Sequence, residues 1–495
     1  MSNQKEYSCL EKNCNVYSKA IDIDGEYQET LPAYLDDVYR VVKCVANSYV
    51  TSADISFNEA KIYGKSLIQI TYYNENSVLC YADFEEDFSK VFTVDNLSDS
   101  SFVRACISEK YTNFRVINQR RIDIHTMSVL NICVYDCIKY PTLCSCENSK
   151  LKSDKIEISN VLASYVDKID FDEDFSLPSE SKPVGRIISA SYYPTITDTK
   201  IIKDKVLIKA NVNVSVLYSA DTDENELEKT SYSFSVSKII DRSGIDDGDI
   251  LIADASIGSI FFKVKGSANE KVSVINVYGD VALNLVFIRR EEIDVISDGY
   301  MLGAKSECKY SDVPAYIDGR LISDNKLINI PLEFNSEINQ IYELSLKLSA
   351  VSYNEGTIKG EVQATAIVDS DGGITSLGTS SDFKIVIDKY DDAVVSLDIE
   401  SFDYTLADSG RVDLRLNLII NAFCFNKVTL PLLEDMNVTQ QVDDKHTLTV
   451  YFGKENERIW DIAKDFLADE NDIKTENSLS GEALESAQVL IIPKA

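Results

Sequence analysis

Few residue types in this chain could do chemistry, and their spacing decides what they could do. Cys133, Cys137, Cys144 and Cys146 crowd into one short stretch, and thiolates hold zinc well. Their spacing is CxxxC, a longer gap and then CxC, which does not make two CxxC knuckles. Cys133 falls in strand rhythm and reads as core, and the spacing leaves open whether Cys144 and Cys146 cross-link. No metal is expected. Asp221-Thr222-Asp223-Glu224-Asn225-Glu226 begins like a calcium loop, but Glu226 stands where glycine is needed and Tyr232 where the closing glutamate belongs. A hairpin tip explains it better.

Catalytic groups are scarcer still. There are two histidines. His125 sits in an alternating strand and His446 at the approach to the C-terminal tail, neither at a nucleophile–base spacing. The chain has no Gly-x-x-x-x-Gly-Lys-Ser/Thr loop, no Gly-x-Gly-x-x-Gly after a strand and no Gly-x-Ser-x-Gly elbow. The expectation is no catalytic residues, no cofactor and no enzyme activity.

The elements that carry these residues are mostly strands. Tyrosine (27) and phenylalanine (19) are plentiful beside one tryptophan, and Val, Ile and Thr recur at alternate positions. Arg40–Tyr72 aligns without a gap on Arg186–Tyr218: Val41/Val42 fall over Ile187/Ile188, Ile62 over Ile208, Ile68 over Val214, Ile70 over Val216, and Tyr72 over Tyr218. A diverged third copy runs from Ile338 to about Val368, with Gly360 answering Gly64. Each copy is preceded by a proline (Pro32, Pro178, Pro331). Each then runs through a long period-2 strand, a polar tip and a returning strand, and closes on an alternating strand (Ile122 to Cys133, Val272 to Ile288, Val412 to Phe425). Alternation with polar residues between implies one buried and one wet face. The expected fold is therefore mainly β. It comprises three tandem antiparallel β-sandwich or barrel-like repeat domains, at 15–145, 165–300 and 305–437, and a small βααβ unit at 446–494. The segment Ile156 to Val166 between the first two is a short helix or strand.

At 495 residues the chain is too long for a single core. With 81 acidic against 49 basic residues and a net charge of −32, it repels phosphate backbones, and nucleic acid is not an expected partner. The longest apolar runs are strand-length and cannot span a bilayer as helices. Residues 1–31 carry no basic n-region followed by an apolar h-region, so a cytosolic chain with reduced cysteines is expected.

In the tail, Thr447–Phe452 alternates like a strand, Ile459 to Leu467 follows helical spacing, Asp469 or Asn471 can cap a second short helix carrying Ile473, and Gln488–Ile492 closes on Pro493. Trp460 reads as the anchor of this small core. Val450-Tyr451, Ile459-Trp460-Asp461-Ile462-Ala463-Lys464, Asn477 and Val489–Pro493 give the segment a resemblance to the LysM domain. Glycan-binding LysM domains carry a Gly-Asp-Thr turn where this chain has Asn456-Glu457-Arg458, and a Gly-Gln pair where it has Ala487-Gln488. The resemblance thus implies partner-binding loops at Asn456, Glu457, Arg458, Asn477 and Ser478 that favour protein over sugar.

Tandem β-rich repeats ending in such a tail resemble the SipL-like, SPOCS-domain spore coat morphogenetic proteins of spore-forming Firmicutes. That resemblance implies a non-catalytic scaffold or adaptor in the mother-cell cytoplasm, at the forespore surface. Its tail would bind a coat morphogenetic ATPase (SpoIVA-like), and its lobes other coat proteins. The alternative is a cell-wall-associated protein whose tail binds peptidoglycan through its N-acetylglucosamine glycan.

Overall fold

A computed structural model describes residues 4–222, 226–265, 274–408, 410–442 and 448–493. Antiparallel strands dominate, and their order returns every six strands. The first set is β1 (Lys5–Thr30), β2 (Arg40–Ser56), β3 (Glu59–Tyr73), β4 (Leu79–Thr93), β5 (Phe102–Asn118) and β6 (Arg121–Cys146). The second is β7 (Ser149–Ser176), β8 (Val184–Ile202), β9 (Lys205–Ala220), β10 (Leu227–Asp241), β11 (Ile250–Lys265) and β12 (Val274–Met301). The third is β13 (Ala304–Glu333), β14 (Gln340–Asn354), β15 (Thr357–Ser370), β16 (Gly373–Val386), β17 (Asp392–Asp408) and β18 (Arg411–Gln441). The segment 156–166 lies inside β7 and is strand, not helix.

Each set makes two layers. Its middle strands form a three-stranded sheet: β2-β3-β4, β10-β9-β8 or β14-β15-β16. Its first, last and fifth strands pair as β1-β6-β5, β7-β12-β11 or β13-β18-β17. Between the layers lies an aliphatic core. Val206, Ile208, Val212, Val214 and Val216 of β9 face Ile275, Val281, Leu283 and Leu285 of β12 in the second set. Val362, Ala364 and Val368 face Leu414, Leu416 and Leu418 in the third. Alternation in β9 and β15 places these residues on one face because successive side chains of a strand point to opposite sides.

One cross-strand position tunes this core by size. Gly64 lies opposite Phe88 and Gly360 opposite Phe383, while Ala210 lies opposite Val236. A Cβ on Gly360 would stand 2.5 Å from the Phe383 ring, so the glycine makes room for the phenyl group. Bulges also recur: β2 slips between Val41 and Lys43, β8 between Ile187 and Ser189, and β14 between Ile341 and Glu343. Each slip turns the next side chain towards the other lobes. The result is that Lys43, Ser189 and Glu343 meet where the three middle-strand sheets, one from each lobe, converge. Lys43 Nζ lies 3.0 Å from Ser189 Oγ and 3.2 Å from Glu343 Oε1, roofed by Val42, Ile188, Leu217 and Ile367.

The first and last strands of each set are far longer than their sandwich needs. β1 pairs with β6 from Lys5↔Cys146 to Thr30↔Arg121, and β7 with β12 and β13 with β18 do likewise. Their outer halves leave the sandwiches as three two-stranded ribbons that pack into one stalk. Ile158, Val295, Val313, Ala315, Leu430 and Leu432 fill its middle, and Leu143, Met301, Ala304, Leu433 and Met436 its tip. The single pair Tyr316↔Ser159 joins the second and third ribbons into a six-stranded sheet. Lys12 is buried there, with Nζ 4.6 Å from the Tyr316 ring centroid and bonded to the Pro314 carbonyl. At the tip the chain turns from one ribbon to the next through Asn148 (φ 57°) and Gly303 (φ 64°), the left-handed region that these two residue types tolerate best.

Candidate functional site

Residues 448–493 fold on that tip as β19 (Leu448–Gly453), α1 (Ile459–Phe466), α2 (Glu470–Glu476) and β20 (Gln488–Pro493). Asp469 caps α2 by accepting from the Asn471 amide, and α1 stops at Leu467, whose φ is 54°. The core of this unit is small: Ile459, Ile462, Ala463, Ile473, Leu484, Leu490 and Ile492. The stalk completes it, because Tyr300 at the end of β12 inserts into the same cluster. Tyr300 donates its hydroxyl to Ala468 O (2.9 Å) and meets Trp460 edge-on, with ring centroids 5.1 Å apart.

Asp298 clasps the other side of Trp460. Its carboxylate accepts from Trp460 Nε1 (3.0 Å), from Lys464 Nζ (2.6 and 2.7 Å) and from the Tyr310 hydroxyl (3.0 Å). Burial works against the charge, but the bonds from Lys464 and Trp460 outweigh it and hold the Asp298 carboxyl below its ordinary range. Lys150 pairs with Asp469 at 2.7 Å, and the Gly303 amide donates to Leu467 O. Trp460 is thus only half-buried, and it joins tail to stalk as well as filling the tail's own core.

The five loop residues singled out above divide into two groups. Glu457 accepts from the Tyr451 hydroxyl (2.7 Å) and the Lys454 amide (2.8 Å), closing its own turn. Asn477 bonds both backbone groups of Ile491 at 2.7 Å and so ties the end of α2 to the edge of β20. The polar groups of these two side chains are engaged inside the tail. Asn456 (φ 64°), Arg458 and Ser478 (φ 51°) are exposed.

The sequence reading missed a different surface. Only one face of the two-stranded β19–β20 sheet is covered by the helices. On the other, Val450 pairs across from Ile491 and Phe452 from Val489, and these side chains are 64, 40, 66 and 59 % exposed. Four apolar residues in register on a two-stranded sheet form a contiguous patch, the kind of surface proteins use to bind one another. Its signal in the sequence is a strand with apolar residues at successive positions, Val450-Tyr451-Phe452.

The residues weighed for chemistry are dispersed. Cys133 to Cys146 lie along β6, where a rise of about 3.3 Å per residue spreads them down the ribbon. Cys144 is exposed and bonds Ser8, whereas Cys146 is buried against Met301, so the two thiols do not share a surface. Among the described residues no three metal-ligating side chains come together. His125 Nε2 lies 3.7 Å from Asp24, with its ring tilted on Tyr111. His446 and residues 223–225 of the Asp221 loop lie outside the described residues. No helix among the described residues is long and apolar enough to cross a membrane.

Fold and site together define a mainly β protein of several antiparallel sheets that bears an apolar-faced βααβ unit on its stalk. One known family matches part of it: residues 183–265, which span β8 to β11, match the family described as SipL, SPOCS domain. No curated protein and no solved structure matches the chain significantly.

Proposed function

We propose that this chain is a non-catalytic scaffold of the spore coat, in which three SPOCS-type lobes, at about 15–145, 165–300 and 305–437, carry a LysM-like protein-docking tail. The SPOCS match over β8–β11 supports a sporulation role of the SipL kind, and the threefold recurrence of the same six-strand order extends that reading to the first and third lobes. The observation that carries the docking role is the apolar quartet Val450, Phe452, Val489 and Ile491. A sugar-binding surface sets aromatic rings among polar groups that match hydroxyls, whereas this quartet has no polar member and gains most from burial against another protein. The partner on this reading is a coat morphogenetic ATPase of the SpoIVA kind, met in the mother-cell cytoplasm at the forespore surface. Asn456, Arg458 and Ser478 would lie at the polar rim of the interface, with Glu457 and Asn477 shaping the loops.

The test is a pulldown of purified full-length chain with the purified ATPase, against the variant Phe452→Ser/Val489→Ser. Both residues are exposed, so the variant should keep its melting temperature and lose at least tenfold in affinity. Sedimentation of the full chain with purified peptidoglycan, together with indifference to the ATPase, would favour the cell-wall alternative.

A further inference from the structure

The three lobes meet pairwise, and two of the junctions are closed by side-chain bonds. At the first-to-second junction the Tyr49 hydroxyl bonds Ser259 Oγ at 2.9 Å. At the third-to-first, Lys347 pairs with Glu109 and bonds Asn47 at 3.2 Å. The second-to-third junction is bonded at its base, where the Thr195 hydroxyl donates to Ile399 O, the Ile196 amide to Asp398 and the Ser396 hydroxyl to Ala253 O. Above that base lies an open groove of about 520 Å³, within the range of roughly 300–1,000 Å³ typical of small-ligand sites.

Its floor is the outward face of β8-β9-β10, where two rows of polar residues cross three strands: Ser191, Ser215 and Ser231, then Tyr193, Asn213 and Ser233. Its wall comes from the next lobe, with Phe402 tilted against Tyr193 (centroids 5.8 Å apart) and Tyr404 beside it. Ser231 and Ser215 bond each other, but Ser191, Asn213, Ser233 and the Tyr193 and Tyr404 hydroxyls have no partner among the described residues. One Lys229 and one Asp403 face the groove, so it is electrically balanced on a chain of net charge −32.

We infer that this groove binds a short, neutral oligosaccharide. A pyranose ring offers an apolar C–H face, which packs flat on aromatic rings, and an equator of hydroxyls that both donate and accept. Phe402, Tyr404 and Tyr193 supply the rings. Asn213 and the serines supply paired donors and acceptors at strand spacing. Burial raises the Tyr193 and Tyr404 phenols above their ordinary range, which keeps them protonated and able to donate. Balanced charge excludes a phosphorylated or strongly acidic ligand. This site is separate from the tail and does not depend on the docking role proposed for it.

The test uses full-length protein on a printed panel of neutral gluco-, manno-, galacto- and N-acetylglucosamine oligosaccharides of two to six units, followed by titration with whichever binds. Three variants are run beside it: Ser233→Arg and Tyr404→Ala in the groove, and Phe452→Ser on the tail. Ser233 is exposed, so arginine there should obstruct the groove without altering the melting temperature. The expected result is binding that falls at least tenfold in both groove variants and is unchanged in Phe452→Ser. The inference is overturned if no oligosaccharide binds. It is also overturned if binding survives Ser233→Arg, or if a peptide library and not the sugar panel yields a ligand blocked by Ser233→Arg.

Discussion

Lys43 and Glu343, 300 residues apart in the chain, form a 3.2 Å ion pair with side chains only 4 and 1 % exposed. The pair is what one lobe says to another at the point where all three meet, and it includes a defect: Glu343 Oε2 is buried without a hydrogen-bond partner. Such a pair is weak as a source of stability but costly to break on one side.

Lys43→Met should therefore cost about 3–5 kcal/mol by leaving the Glu343 carboxylate buried without a counter-charge, bonded only by the Ser345 hydroxyl among the described residues. The double variant Lys43→Met/Glu343→Leu should recover most of that loss. Urea unfolding of the wild type, both singles and the double measures it. A double variant no more stable than Lys43→Met would mean the site needs its charges for more than pairing.

Asp398 gives the fold a pH dependence of unusual sign. Burial is the main cause, only partly offset by the Ile196 amide, and it pushes this carboxyl up to about 8. Between its unfolded value near 4 and that folded value, the native state holds a proton that the unfolded chain has released. Asp398 thus lowers stability as pH rises through this window, by at most about 1.4 kcal/mol per pH unit. Asp398→Asn keeps an acceptor for the Ile196 amide and should flatten the slope between pH 5 and 8. The readout is the difference between variant and wild-type urea midpoints across that range; parallel curves would contradict the prediction.

The clasp at Asp298 titrates the other way. Its carboxyl is held low, so its contribution is present above the ordinary carboxylate range and lost as pH falls through the depressed value. Asp298→Ala should cost about 1–2 kcal/mol, discounted because the group is partly exposed. It should also speed hydrogen exchange at the Gly303 amide, which bonds Leu467 O, and leave the β9 amides protected. Equal acceleration at both places would indicate global unfolding and not release of the tail.

Gly360 and Phe383 should behave as one unit. Gly360→Ala drives a methyl group into the phenyl ring and is expected to cost about 1–3 kcal/mol. Adding Phe383→Val recreates the Ala210–Val236 pair of the second lobe and should return at least 1 kcal/mol through a favourable coupling term. A coupling energy of zero by thermal or chemical unfolding would show that the pair is independent.

Legibility followed periodicity. The strands of β3, β9 and β15 and the helix α1 could be read because one face of each is apolar and the other is not. The full reach of β1, β7 and β13 could not. Their outer halves, such as Lys305–Tyr310, are largely polar, and only partner strands on the stalk show that they are extended. Lys43 and Glu343 look in sequence like surface charges, since a bulge rather than the period-2 rule turns them inward. The tail's exposed face was hidden for the opposite reason. With Val450, Tyr451 and Phe452 all apolar, alternation could not say which side the helices cover. Glu457 and Asn477 were legible as loop residues, but their bonds within the tail depend on Tyr451 and Ile491 arriving from other elements.

The pairing of first strand with last has a kinetic consequence. In each lobe β1, β7 or β13 must wait, unpaired, until the ribosome has delivered β6, β12 or β18, so every sandwich closes through contacts far apart in sequence. High contact order slows folding and prolongs the exposure of strand edges. The lobes should consequently mature one after another during synthesis. Lys43 then stays in water until the third lobe brings Glu343, and Tyr300 stays bare until the final residues fold over it.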